Sequence, residues 1–352
     1  MYLYVYDSDF NQIALIDQYS SLIWTDRYDE CGEFELVIPY QSSFLDIFCL
    51  GYYCKVDQSM HWAVIEKVEM KKEDEDAPEM IVSGRSIESI LERRVVIEKV
   101  EFEDASLQDS VQSLLATNII SPSDDSRKVE GFKMKTSTDT AITNLKLTDS
   151  YDGDNLLSII SGICQENSIG FIIGVEEDFT LYFQLYVGSD RSGSNINNGI
   201  VCFSPEYDNL LNSSYYISTE IYHNTMFVSI SENNYIAVSK SAKGFARGLD
   251  RREIQIDVND LKENQSSSLS DAMIVKKARK LFDSDYKIMQ SIEGDIVPNI
   301  NYQYKEDYFT GDIVKMKDIF GNMKNLRITE MMISYDEMGL EMTPTFEEIQ
   351  EE

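Results

Sequence analysis

The feature that most constrains this chain is an alternation of apolar and polar residues with a period of two. Tyr2, Tyr4 and Tyr6 alternate with Leu3 and Val5, and Glu33-Phe34-Glu35-Leu36-Val37-Ile38 places Phe34, Leu36 and Ile38 on one side. Successive side chains of an extended strand point to opposite faces, so the pattern specifies strands with one buried face. Gly32 and Pro39 punctuate the second stretch. Tyr52–Val56, Trp62–Met70 and Met80–Val82 continue the series, and the charged run Lys71–Asp76 reads as a solvated hairpin tip. About seven short strands before Arg85 predict a small barrel or sandwich.

The other end of the chain returns to this pattern. Strands are expected over Ser214–Tyr222, Thr225–Ser231, Tyr235–Ser241, Arg252–Val258, Tyr286–Val297, Asp312–Lys317, Leu326–Ser334 and Leu340–Thr343. One helix interrupts them, near Leu269–Asp285, with Met273, Lys277 and Leu281 spaced by four. The stretch between the two β-rich ends is mixed. Ser86 is placed to cap a helix carrying Ile87, Ile90 and Leu91, with Arg93 and Arg94 in its last turn. Ser106 opens another with Leu107, Val111, Leu114 and Leu115, and Asp154 is the expected cap of a third with Leu157, Ile160 and Cys164. Gly170–Val175 and Phe179–Val187 form an expected hairpin, and Ser189–Gly199, rich in Gly, Ser and Asn, is the best linker candidate.

Two strand pairs at opposite ends echo one another. Gly51, Lys55 and Val56 precede Trp62-Ala63-Val64-Ile65-Glu66, and Gly311, Lys315 and Met316 precede Leu326-Arg327-Ile328-Thr329-Glu330. Aligned this way, the second turn is four residues longer. Any two antiparallel hairpins share such features; the alternative is a duplicated small β-domain with the mixed region between its copies.

At 352 residues the chain exceeds what one hydrophobic core usually organises, which predicts two to four domains. The fold class expected is α+β, mostly β. Lys and Arg total 31 against 62 Asp and Glu, a formal net charge of −31. Such a surface repels phosphate backbones and acidic membranes, arguing against sequence-specific nucleic-acid binding and direct membrane insertion. It favours solubility, or a conduit that nucleic acid passes without sticking. Cys31, Cys49, Cys54, Cys164 and Cys202 are odd in number and lack a C-x-x-C pair, as buried thiols in a reducing cytoplasm would be. Met1–Phe10 has no signal-peptide pattern, and no stretch reaches the length of a membrane span.

Chemistry finds little footing. The two histidines, His61 and His223, lie in strand-like stretches without an i, i+4 partner, and no nucleophile elbow, P-loop or dinucleotide fingerprint is present. The acidic segment Asp149–Asn155 lacks the alternating ligands and closing Glu of an EF-hand and reads as a turn entering a helix cap. No catalytic, cofactor-binding or metal-binding residue is therefore assigned, and no cofactor is expected. The basic cluster Lys240, Lys243, Arg247, Arg251 and Arg252 is either ordinary surface charge or a docking patch for an acidic neighbour.

Several segments, in order, resemble a family of phage tail proteins of siphovirus type. They are Tyr4-Val5-Tyr6-Asp7, Leu22-Ile23-Trp24 with Gly32–Leu36, Gly84-Arg85-Ser86 into Leu91-Glu92-Arg93-Arg94, and Gly248–Glu253. The C-terminal matches are Tyr308–Val314, Leu326–Glu330 and Asp336–Gly339. The resemblance implies two small tube-like β-barrel domains flanking a mixed α/β region, with domains at 1–98, 99–200 and 201–352. It implies a homotrimeric baseplate hub of a phage tail or contractile tail-like particle, joining a sixfold tail tube to a threefold spike. The partners implied are the tail tube protein, the spike protein and other baseplate proteins. With the sequence stopping at Glu352, any spike, cell-wall enzyme or receptor binder is expected on a separate protein, or at least off this chain. The protein is expected to be made in the bacterial cytoplasm and to end in a virion tail or released particle, and not to be an enzyme. The rival expectations are a tail-associated cell-wall hydrolase and a receptor- or carbohydrate-binding component, the latter using aromatics such as Tyr215, Tyr216 and Tyr222.

Overall fold

The computed structural model describes residues 1–72, 77–194, 198–261, 269–297 and 300–349. Two compact units emerge, one of Met1–Ser213 with Glu293–Glu352 and one of Ser214–Ile292. Part of the expected hairpin tip (73–76) and part of the expected linker (195–197) lie outside the described residues.

The first unit opens with seven strands, as the alternation predicts: β1 (Leu3–Tyr6), β2 (Gln12–Ile16), β3 (Ser21–Arg27), β4 (Glu33–Pro39), β5 (Tyr53–Val56), β6 (Trp62–Lys71) and β7 (Glu79–Ser86). The middle region adds β8 (Val100–Ser106), β9 (Lys133–Lys135), β10 (Lys146–Tyr151), β11 (Gly170–Val175) and β12 (Leu181–Tyr186). Its helices are α1 (Leu107–Leu115), α2 (Thr140–Thr143) and α3 (Leu156–Glu166). Their apolar faces, with Val111, Leu114, Ile160 and Ile163, pack with Phe171, Phe183 and Leu185 into one core that also takes in Trp62, Ile87 and Leu91. Ser106 caps α1 as expected, but α3 is capped by Asn155 rather than Asp154. Ser86 caps nothing: its hydroxyl accepts the Gly32 N–H at 2.9 Å, and Ile87–Arg93 forms a short 3-10 helix.

The chain continues through β13 (Cys202–Phe203) and β14 (Leu210–Ser218). The second unit contains β15 (Thr225–Ser231), β16 (Asn234–Ser239), β17 (Glu253–Asp257) and α4 (Asp271–Ser284). β15 is central, antiparallel to β16 and parallel to β17. The α4 face packed on this sheet carries Ile274, Ala278 and Phe282, one residue beyond the stripe Met273–Lys277–Leu281 expected from spacing. The chain returns along β18 (Met289–Ile296) and ends with β19 (Ile313–Lys317), β20 (Met323–Asp336) and β21 (Gly339–Glu348).

Strands from both ends of the chain share one 13-stranded sheet, in the order β14-β18-β21-β20-β3-β4-β7-β6-β5-β1-β2, with β19 against β20 and β13 beyond it. Among the described residues this order is open and forms no closed barrel. The fold is mostly β, as expected.

The order contains the same five-strand module twice. β3-β4-β7-β6-β5 and β14-β18-β21-β20-β19 have the same connectivity read along the chain. Gly51 N–H donates to Ile65 O and Ile65 N–H to Tyr52 O, each at 2.8 Å; Gly311 N–H donates to Ile328 O (2.6 Å) and Ile328 N–H to Asp312 O (3.0 Å). A bulge follows each isoleucine, at Glu66 and at Thr329. Beyond the bulge Met70 opposes Met80, which opposes Ile38; Ile333 opposes Met342, which opposes Ile296. Lys55 opposes Trp62 and Lys315 opposes Asn325, so the second turn is three residues longer, and Ala63 rather than Trp62 corresponds to Leu326. The pairs Cys54 and Val314, Val56 and Met316, Ala63 and Leu326, Ile65 and Ile328 are buried in both copies. The modules are joined where the second half of β20 runs antiparallel to β3, from Glu330 opposite Arg27 to Tyr335 opposite Leu22.

Candidate functional site

Polar groups in the first unit converge where segments far apart in sequence meet. Trp24, Thr25 and Asp26 are consecutive buried residues on β3. The Asp26 carboxylate accepts from Trp24 Nε1 at 3.0 Å and Ser59 Oγ at 2.5 Å on one oxygen, and from Tyr304 OH at 2.9 Å on the other. Three donors offset the cost of removing a carboxylate from water. Ser59 Oγ also accepts the His61 N–H at 2.9 Å, extending the chain of bonds to the histidine. Lys305 Nζ reaches the carbonyls of Asp57 and Ser59 at 2.8 and 3.0 Å.

His61 is buried at the entrance to β6, with Nδ1 2.9 Å from Glu88 Oε1, and the same oxygen accepts the Ile173 N–H of β11 at 2.9 Å. Glu88 is 0% exposed. Burial alone would lower the His61 pKa, but the Glu88 charge and hydrogen bond outweigh it and hold the imidazole up at about 9. Burial would raise the Glu88 carboxyl; the His61 charge and hydrogen bond hold it below its ordinary value. The pair is an ion pair tying the first β-module to the mixed region.

Tyr28 forms a second junction. Its backbone N–H donates to Thr329 O at 2.9 Å and its carbonyl accepts from Phe171 N at 3.2 Å, linking the end of β3 to β20 and β11. Its phenol donates to Ser168 O at 3.2 Å and accepts from Arg327 Nη1 at 3.3 Å, whose guanidinium carbon lies 5.3 Å from the ring centre. Nearby, the buried Asp312 accepts from Arg191 Nε (2.5 Å), Ser189 N (2.6 Å) and Phe309 N (3.1 Å).

These arrangements join segments that lie far apart in the sequence. His223 lies in the second unit just before β15, its ring edge-on to Tyr286 at 5.4 Å. Both histidines fall just outside strands rather than within them. Among the described residues no group of three or more His, Cys, Asp or Glu could hold a metal ion. The segment Asp149–Asn155 spans the end of β10 and the cap of α3. In the basic cluster, Lys240 Nζ donates to Phe282 O at 2.7 Å and pairs with Asp283 at 3.0 Å, Arg251 pairs with Glu253, and Arg252 donates to Thr219 O at 2.7 Å. These three cations serve the second unit's own packing. Sequence reasoning missed Asp26, Glu88 and Tyr28. The visible signal was the run Trp24-Thr25-Asp26, where polar residues follow directly on the apolar Leu22-Ile23-Trp24 of the same strand.

A chain whose termini share one sheet around a mixed core has the fold of phage tail proteins of known structure. The fold is similar to that of the 43 kDa tail protein of prophage MuSo2 from Shewanella oneidensis, with 12% identity, TM-score 0.62, and 99% of this chain and 98% of that chain covered. It is also similar to a tail protein from Neisseria meningitidis (13%, TM-score 0.59, 99% and 95% covered). Prophage tail protein gp18 from Listeria monocytogenes is a third (12%, TM-score 0.54, 99% and 96% covered). At these identities the likeness concerns the fold alone. No curated protein matches the sequence significantly. The chain belongs to the family described as Siphovirus ReqiPepy6 Gp37-like protein, which matches residues 2–346.

Proposed function

We propose that this chain is a structural subunit of a phage tail, a homotrimeric baseplate hub joining a sixfold tail tube to a threefold spike. The observation that carries this reading is the duplicated five-strand module within one continuous sheet. A ring of three such chains presents six equivalent modules to one neighbour and three chains to another, the property a symmetry adaptor needs. Each module would supply one segment of a tube-like wall. That the three similar structures are tail proteins supports a place in a tail, and hence in the virion or a released tail-like particle. The tube protein, the spike and other baseplate proteins are the partners proposed.

The role is mechanical rather than catalytic: the buried junctions at Asp26, Glu88 and Tyr28 hold the module pair in one geometry. Among the described residues no helix is long and apolar enough to cross a membrane. Light scattering on the purified chain is expected to give the mass of three chains, and images of the particle are expected to place it between tube and spike. Sixfold or free copies at the tail periphery would overturn the reading. Release of fragments from purified peptidoglycan, abolished by a single carboxylate substitution, would favour a hydrolase instead.

A further inference from the structure

The module repeat gives one strand edge in each copy a counterpart in the other. In the second module the half of β20 beyond the bulge has two neighbours, β21 on one side and β3 of the first module on the other. The corresponding half of β6 is Lys67–Lys71, because Lys67 and Glu330 each follow the bulge. That half of β6 has β7 on one side and, among the described residues, no strand on the other, since β5 ends its pairing at Val64. The counterpart of β3 is β14, which lies at one end of the sheet with β18 as its neighbour. A single chain thus makes the β20–β3 junction once and carries the two halves of a second such junction on separate strands.

Side-chain burial agrees. Met331 and Ile333, on the paired half of β20, are 0% exposed. Their counterparts in β6 are Val68 and Met70, equally apolar, yet Val68 is only partly buried and Met70 is 57% exposed. On β14, Leu211, Tyr216 and Ile217 are exposed as well. Unpaired backbone groups beside exposed apolar side chains form a template for strand addition.

We propose that β6 over Lys67–Lys71 pairs antiparallel with β14 of a second copy of this chain, repeating between chains the β20–β3 junction made within it. The occupant is a second copy because this chain's own repeat supplies β14 as the free counterpart of the β3 edge that β20 already pairs with. The contact is head-to-tail, so each chain gives one edge and receives one, and successive copies close into a ring of alternating modules. Lys67 and Lys71 on the edge disfavour indiscriminate strand addition, as a contact reserved for one partner requires. The proposal rests on the self-assembly put forward above and adds which edges meet.

Hydrogen–deuterium exchange on the full chain, read by mass spectrometry in the assembled and diluted states, tests it. Exchange within 66–71 and within 211–218 is expected to slow together on assembly by more than about tenfold, with Gln12–Ile16 of β2 unchanged. Met70→Asp is expected to weaken assembly at least about tenfold with the circular dichroism spectrum unchanged, whereas Met338→Asp, at a position 95% exposed in the β20–β21 turn, leaves assembly intact. A trimer by light scattering with neither segment protected, or with protection at β2 instead, would overturn the edge assignment and leave the trimeric reading standing. A chain that stays monomeric at every concentration would overturn both.

Discussion

Tyr28 and Gly311 approach so closely that no β-carbon fits between them: one added to Gly311 would lie 2.3 Å from Cε2 of the tyrosine ring. Gly170 faces the same ring, with the corresponding distance 2.4 Å. Gly311 also holds φ at +93°, in the left-handed region, so steric exclusion and backbone conformation both require glycine. Gly311→Ala is expected to cost more than about 3 kcal/mol, measured as a drop in the urea midpoint. Tyr28→Phe keeps the ring, loses the phenol contacts and is expected to cost about 1 kcal/mol. An alanine variant as stable as the parent would remove Tyr28 from its place as a packing pivot.

The ion pair of His61 and Glu88 makes stability depend on pH in both directions. His61 is raised from its ordinary 6.5 to about 9 in the folded state. Its contribution is therefore fully present below 6.5 and is lost as pH rises through about 9. Glu88 is lowered from 4.5, so its contribution is present above 4.5 and is lost as pH falls through its folded value. Denaturant titrations should show stability falling between neutral pH and pH ~10, with a shallower fall in His61→Phe. At neutral pH that variant leaves Glu88 buried without a countercharge and is expected to lose about 3–5 kcal/mol. Identical pH profiles for the two proteins would show that the pair is not ionised in the folded state.

Two neighbouring stripes of α4 make a paired test of the second unit. Phe282 is buried against Met226, Val228 and Val238, whereas Met273 is only partly buried. Phe282→Ala is expected to cost about 3–5 kcal/mol and Met273→Ala less than about 1 kcal/mol. Amide exchange in β15 and β16 should accelerate in the first variant and stay unchanged in the second. The reverse order would mean that the stripe expected from sequence is the buried one.

The Asp26 cluster predicts a specific hierarchy. Asp26→Ala strands the Trp24 indole and weakens the hold on Ser59 and Tyr304 at once. Removing Tyr304 OH by Tyr304→Phe takes away one donor of three. Thermal unfolding should rank Asp26→Ala well below Tyr304→Phe, by roughly 2 kcal/mol or more. Equal effects would reduce the cluster to one hydrogen bond of consequence.

Much of the fold was legible because strand formation and capping are local. Period-two alternation located β1 and β4, and Ser106 marked the start of α1 from one residue and its neighbours. The misses share a cause. Ile274–Ala278–Phe282 and Met273–Lys277–Leu281 satisfy the same spacing, and only the sheet beneath α4 selects between them. Asp154 and Asn155 are adjacent capping residues, and the helix starts after the second. Ser86 had the right chemistry for a cap but is taken by the Gly32 N–H, a partner remote in sequence. The hairpin echo was visible, yet the return strand was set one residue off, because register is fixed by cross-strand bonds that a single strand does not display.

The sequence by itself determined that this would be an acidic, mostly β protein with a mixed centre and a repeated hairpin, since charge, period and turn residues act over a few positions. The tertiary structure decided that β20 meets β3, that Glu88 faces His61, and that Tyr28 fills the space left by Gly170 and Gly311. Every strand edge offers the same backbone donors and acceptors, so composition cannot choose among edges. The choice falls to burial and shape once the whole chain is assembled, and those quantities exist only between segments far apart in sequence.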